Sequence, residues 1–306
     1  MTRPRRALAI AFAVQAIVLI VILIAALDLY AHKRVENVAG WNIWGYRGPV
    51  ARERQPNEIR IVVIGGTRAF ALGMPATWTP ATVLRQQVML VTDQRGGRIR
   101  PVVSLTLARP GALPASYAAT LAHYSYLRPD YICIYDDLGV GGAPQPEETS
   151  GFYARTGYRP ILPLVLQEKK NMRALGNALA RVDRQMVRRR TARGASDPQS
   201  YANDMLDAIN AALARARGVV VALSPSEAPF QAANLAALRP RLRELLARTP
   251  TLRVVDLSRD RALRDPSLRL DGWSYGGDAV LAAAKAITPA MLELIARDDR
   301  ARAAGR

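Results

Sequence analysis

The sequence predicts a doubly wound α/β domain on a five-stranded, mostly parallel sheet, preceded by a transmembrane helix. Three observations carry that expectation: an apolar run opens the chain, short β-branched runs recur behind it, and helical patterns separate those runs. The opening run, Ala7–Leu27, has one polar interruption, Gln15. At ~1.5 Å per residue it extends ~30 Å, about one hydrocarbon core. It is longer than a signal-peptide core and no small-x-small cleavage site follows, so it reads as an uncleaved single-pass anchor. Arg3, Arg5 and Arg6 favour a cytoplasmic N-terminus, although Lys33 and Arg34 on the far side reduce the asymmetry. The domain is therefore expected outside the inner (cytoplasmic) membrane, facing the periplasm or exterior.

Residues 1–29 form the stub and anchor of this scheme, and 30–57 a juxtamembrane connector. The connector holds "GWNIWGYRGPV", whose aromatics suit either the headgroup level or packing beneath the domain; turn punctuation at Arg47, Gly48 and Pro49 favours packing. The domain spans 58–297, with a basic tail over 298–306. Strands are predicted at Ile59–Ile64, Val102–Leu107, Tyr131–Tyr135, Val219–Leu223 and Leu252–Leu257. They are apolar on both faces, as strands beneath two helical layers must be. Helical patterns cover Pro80–Thr92, Pro114–Leu127, Tyr201–Arg217, Ala232–Arg248 and Asp278–Ala296, and the alternation implies parallel pairing. Residues 138–199 interrupt the rhythm with a loop-like opening and a basic helical pattern ending in Arg188–Arg190. Such an insertion after the third strand borders the ligand crevice of an open α/β sheet. It reads either as a lid or membrane-facing flap, or as a solvated basic helix.

Composition narrows the chemistry. The formal net charge is +18, which suits an anionic partner or coats an ordinary surface. A domain outside the cell has no nucleic acid to meet, so an acylated or anionic glycan or lipid is the better partner. One cysteine, Cys133, excludes an intramolecular disulfide framework and a multi-cysteine zinc site. No Walker loop, dinucleotide fingerprint, HExxH or clustered metal-ligand set occurs, and no cofactor or metal is implied. The two histidines are His32, beside the apolar run, and His123, within a helical pattern. The first reads as an interfacial residue and the second as a helix-packing one.

The candidate site residues follow the strands. After the first comes "GGTRAFALGM", with Gly65, Gly66, Thr67, Phe70 and Gly73; after the second, "VVSLTLARPG", with Ser104, Leu105, Thr106 and Gly111. "LRPDYICIYDDLG" carries Pro129-Asp130 into the third strand and ends it in Asp136 and Asp137. "RLDGWSYGGDAVLAAA" supplies Asp271, Trp273, Ser274 and Tyr275 before the last helix. In order and spacing these blocks resemble those of the SGNH (GDSL-type) hydrolase superfamily. The resemblance spans about Glu58–Arg297 and implies a three-layer, flavodoxin-like arrangement with ester hydrolysis or acyl transfer and no cofactor. It places Thr67 at the nucleophile and Asp271 beside Ser274, which stands where the family has its histidine. Gly66, Thr106, Asp136 and Asp137 fall at the oxyanion or binding positions, and Trp273 and Tyr275 at the pocket rim.

The altered letters have chemical consequences. Thr67 keeps a hydroxyl, although its methyl stiffens χ1 and crowds an approaching carbonyl. No histidine follows His123, so the usual base is missing; loss of that base in a serine protease costs on the order of 10⁶ in turnover. An ionised Asp136 or Asp137 cannot donate to an oxyanion. Two like charges ~4 Å apart at an effective dielectric of ~20 repel by ~4 kcal/mol, roughly a thousandfold in rate. The expectation is a membrane-anchored, hydrolase-like envelope protein with a degraded site that binds or feebly processes an acylated glycan or lipid. Two alternatives stand beside it. One is an active esterase or acyltransferase using Thr67 with a carboxylate such as Asp271 or Asp137, or with Lys169 or Lys170 reaching in. The other is a non-catalytic structural partner in an envelope complex.

Overall fold

The computed structural model describes residues 3–38, 42, 44–71, 74–94, 100–109, 111–139, 160, 162, 197–226, 228–268 and 275–304. Helix α1 (Arg3–Val38) is long and apolar enough to cross a membrane: within Ile10–Lys33 its most apolar 18-residue window, of mean hydropathy 3.0, has no buried part. Side chains from Ile10 to Leu27 are all exposed, whereas Asp28 and His32 are buried.

The domain is built on β1 (Ile59–Gly65), β2 (Val102–Thr106), β3 (Tyr131–Asp136), β4 (Gly218–Leu223) and β5 (Leu252–Asp256). All pair in parallel, in the order β2-β1-β3-β4-β5. The helices are α2 (Thr67–Phe70), α3 (Pro80–Gln94), α4 (Tyr117–His123), α5 (Pro198–Leu213), α6 (Pro229–Arg248), α7 (Arg261–Arg264) and α8 (Gly277–Ala304). Alternation along the strands fills two cores. Ile61, Val63, Cys133 and Val220 pack with α3 and α8 on one face. Val62, Ile64, Ile134 and Val221 pack with α4, α5 and α6 on the other. α8 is also apolar enough to pass a length-and-hydropathy test for a span, but half of that window is buried in the first core.

Helix starts follow local chemistry. Pro198 occupies the first turn of α5, and Asp197 accepts from the Ser200 N–H at 3.1 Å, satisfying a donor the helix leaves over. At α6, Pro229 takes the same place and Gln231 Oε1 accepts from the Ala228 N–H at 2.9 Å.

Two boundaries differ from expectation, and the connector packs beneath the domain as its turn residues favour. The helical pattern 114–127 divides into α4 and two flanking 3-10 turns, Pro114–Ser116 and Ser125–Leu127. One buried face (Pro114, Tyr117, Leu121, Tyr124, Leu127) runs through all three, so hydropathy could not separate them. The expected basic tail is helical through Ala304, because Asp298 pairs with Arg302 and Arg217, and Asp299 with Arg100. The connector's Tyr46 lies in the second core, and Arg47 adds an antiparallel bridge to Thr106 at the sheet edge. Asn42, fully buried, holds that segment: its Oδ1 accepts from the Trp44 N–H and its Nδ2 donates to the Gly48 carbonyl.

This strand order reverses direction between β1 and β3. In open α/β sheets a ligand crevice forms at such a switch, outside the carboxyl ends of the strands. Gly65-Gly66-Thr67 leaves β1 there and Asp136-Asp137 leaves β3 beside it.

Candidate functional site

The site begins with a close approach that only glycine allows. A Cβ on Gly66 would come within 2.6 Å of Asp137 Oδ2 and 3.1 Å of the Ala112 carbonyl. The bare backbone lets the Asp137 carboxylate reach the start of α2. Its Oδ1 and Oδ2 accept from the Arg68 N–H at 3.1 and 3.3 Å, and the Thr67 N–H contributes as well. Asp137 thus caps the elbow helix from a neighbouring strand, a service Gly66 cannot perform itself. Burial pushes its carboxyl up to about 7, against the pull of the Arg68 charge and with a further push from Asp136.

Thr67 Oγ1 accepts a hydrogen bond from the Gly111 N–H at 3.1 Å. Gly111 adopts φ +76°, a turn that aims its N–H at the hydroxyl. Thr106 does not play that part: its N–H donates to the Arg47 carbonyl at 2.8 Å, within the edge bridge. Ser104 is likewise buried in β2.

Asp136 and Asp137 are successive residues and so face opposite sides of the sheet. Asp136 points into the second core, accepting from Tyr117 Oη (2.5 Å), Tyr201 Oη (2.7 Å) and the Leu138 N–H (2.7 Å). Burial raises its pKa, partly countered by these donors. It anchors the turn after β3, where Leu138 is held at φ +56° with its carbonyl accepting from Asn234 Nδ2. A buried leucine in the left-handed region persists only where its surroundings over-determine it.

Two buried arginines flank the elbow; the sequence marks Arg47 only as turn punctuation and gives no reason to single out Arg68. The Arg68 guanidinium lies 4.8 Å from the Tyr275 ring centroid, donates to the Pro225 carbonyl and faces Asp137. Tyr275, expected at a rim, is 2% exposed and is part of the first core. Arg47 enters from the connector. Its Nη1 donates to the carbonyls of Phe70 and Ala71 (the latter at 2.8 Å), its Nη2 to that of Met74, and its guanidinium lies 4.8 Å from the Phe70 ring. One cation therefore satisfies the Phe70 carbonyl at the end of α2 together with the Ala71 and Met74 carbonyls just past it. Burial pulls the Arg47 pKa down to about 10, so it remains charged at neutral pH. A glycine-rich, aromatic stretch enclosing a lone arginine was the only available signal.

Arg47→Met removes those donors and leaves the carbonyls buried. Hydrogen bonds to charged groups contribute about 1.5–3 kcal/mol each, offset by the cost of burying the cation. The expected net loss is about 3 kcal/mol, a fall in melting temperature on the order of 10 °C for a domain of this size. An unchanged thermal melt would mean the elbow does not depend on the connector.

The structure brings together Gly66, Thr67 and Asp137 with Gly111 and Tyr275, and adds Arg68 and Arg47. Asp271, Trp273 and Ser274 lie outside the described residues, as do Gly73, Lys169, Lys170 and Arg188–Arg190. His123 is on α4, edge-on to Tyr124 at 4.9 Å between ring centroids and away from the elbow. His32 is buried on α1, 3.6 Å from Asp28.

Neither a protein-family model nor a curated protein sequence matches the chain. Among solved structures, a family 3 carbohydrate esterase from Clostridium thermocellum is similar, at 11% identity over 78% of this chain and 98% of that one, with a TM-score of 0.45. The lipase/acylhydrolase from Enterococcus faecalis shows 14% identity over 76% and 95%, with a TM-score of 0.45. A lipolytic protein of the G-D-S-L family from Desulfitobacterium hafniense shows 11% identity over 75% and 98%, with a TM-score of 0.44.

Proposed function

We propose that the chain is a membrane-anchored, SGNH-like envelope protein whose ester-hydrolysis site is degraded, and that it binds or feebly processes an acylated glycan or lipid. α1 serves as its single-pass anchor in the inner membrane, with the domain outside. The observation that carries this reading is the set of partners at the elbow. The Thr67 hydroxyl is met by a backbone N–H, and the neighbouring carboxylate is turned onto the elbow's own N–H groups. A nucleophile needs a base within hydrogen-bond reach. Among the described residues, none of the hydrogen bonds to Thr67 Oγ1 comes from a side chain.

The test is hydrolysis of short-chain aryl esters by the full chain in detergent beside Thr67→Ala. Equal rates are expected; turnover that disappears in Thr67→Ala would overturn the degraded-site reading. One observation favours that second reading, an esterase using Thr67 and a carboxylate. The Asp137 carboxyl, pushed up to about 7, is nearer to a working general base than an ordinary aspartate.

A further inference from the structure

We propose that the carboxyl edge of the sheet, with its elbow, lies against the lipid surface, so that the ligand is a membrane-resident amphiphile presenting its polar group in the headgroup layer. This rests on α1 being the anchor and names the ligand class of the site described above.

The level at which α1 leaves the domain is fixed by its burial. From Ile10 to Leu27 every side chain is exposed; the first covered ones are Asp28 and His32, 4% and 2% exposed. They stand one turn apart on the same face, with Asp28 Oδ1 accepting from the Leu162 N–H at 2.6 Å. A carboxylate at the end of an apolar span is costly unless protein groups satisfy it, and here they do. The helix therefore passes from lipid-facing to domain-facing within about one turn at Asp28.

That crossing point is next to the site. α1 touches the 3-10 turn Ala76–Trp78, and the covered positions of the helix begin at Asp28. The turn is the continuation of the elbow: Met74, just before it, gives its carbonyl to Arg47. The Trp78 ring packs over Gly277, where α8 begins at the carboxyl edge. Trp78 is 40% exposed and Tyr30, on α1, 62%. An aromatic on each side of the crossing suits the headgroup level, where amphipathic rings concentrate. Arg47 follows Val38 by nine chain steps, a reach of at most ~30 Å even fully extended. Arg47 is itself fastened beneath the elbow, so this edge cannot swing far from the bilayer.

The inference is tested with the full chain in liposomes of mixed zwitterionic and anionic lipid, by nitroxide labels at three single substitutions. Thr77→Cys is exposed in the turn beside the elbow. Ser125→Cys lies in the turn leading into β3, at the opposite edge. Tyr30→Cys marks the anchor. Cys133 is fully buried, its thiol pushed up to about 12 by burial, so the parent chain is expected to take no label. Electron paramagnetic resonance compares collisions with oxygen, which partitions into lipid, and with a water-soluble nickel chelate. The ratio of oxygen to nickel collisions is expected to be several-fold higher at positions 30 and 77 than at 125. A lipid-like ratio at 30 with matching aqueous ratios at 77 and 125 would overturn the orientation and leave the anchor intact. Aqueous ratios at both 30 and 77 would overturn the anchor together with the orientation. Neither result depends on whether Thr67 is catalytic.

Discussion

Gly65→Ala is expected to leave no stably folded domain. A Cβ at this position would sit 1.9 Å from the Tyr135 carbonyl oxygen, 2.9 Å from its carbon and 2.7 Å from Ala69 Cβ. The first two belong to the backbone of β3, which pairs with Gly65 in register, and the third to the elbow helix. No flexible side-chain end is available to move aside. Relief requires β1 and β3 to separate at the switch point, or α2 to lift from the sheet, and either motion breaks buried hydrogen bonds. The loss is expected to exceed about 4 kcal/mol, the range that single substitutions rarely reach. Most domains have only about 5–15 kcal/mol of stability. Urea denaturation followed by circular dichroism measures it. A midpoint within experimental error of the parent would mean that the two strands do not approach as described.

The strands were legible because a chain buried on both faces must be apolar at every position, and five such runs stand between helical patterns. Their ends were less legible. β1 runs through Gly65 and β3 through Asp136, because pairing continues past the last apolar residue. Thr67 and Gly66 were readable from a strand ending in glycines. The two aspartates were readable as a pair but not as a division of labour. Alternation says that they face opposite ways, whereas only the pairing register says that Asp137 meets the elbow and Asp136 meets Tyr117 and Tyr201. Gly111, not Thr106, aims its N–H at Thr67, since the edge bridge from Arg47 claims the Thr106 N–H. Arg47 and Arg68 were the least legible. An arginine scores as a surface residue until the fold supplies what stabilises it, here three carbonyls and a ring for one, a carboxylate and a ring for the other.

Asp137→Asn is expected to change the pH dependence of stability, with a sign that follows from burial. The native carboxyl titrates at about 7, whereas the unfolded one has the ordinary value of 3.8. Between roughly pH 4 and pH 7 the native state therefore keeps a proton that the unfolded state has released. Stability contributed by this group falls as pH rises through that window and levels off above it. The whole displacement corresponds to roughly 4 kcal/mol. Asparagine keeps an oxygen for the Arg68 N–H and cannot ionise, so the variant should lack this slope. It also deprives the buried Arg68 guanidinium of its facing charge, which costs stability and opposes the gain. Burial is the larger influence on Asp137, ahead of Arg68, so the gain should prevail in alkaline solution. Unfolding free energies in urea at pH 5, 6, 7 and 8 give the comparison. The parent's advantage over Asp137→Asn should shrink steadily with pH and reverse by pH 8. Asp136, also pushed up by burial, is present in both proteins, so most of its contribution cancels. Parallel curves would mean that Arg68 keeps Asp137 ionised throughout. The elbow would then carry a full negative charge under Thr67, and an approaching oxyanion would meet it undiminished.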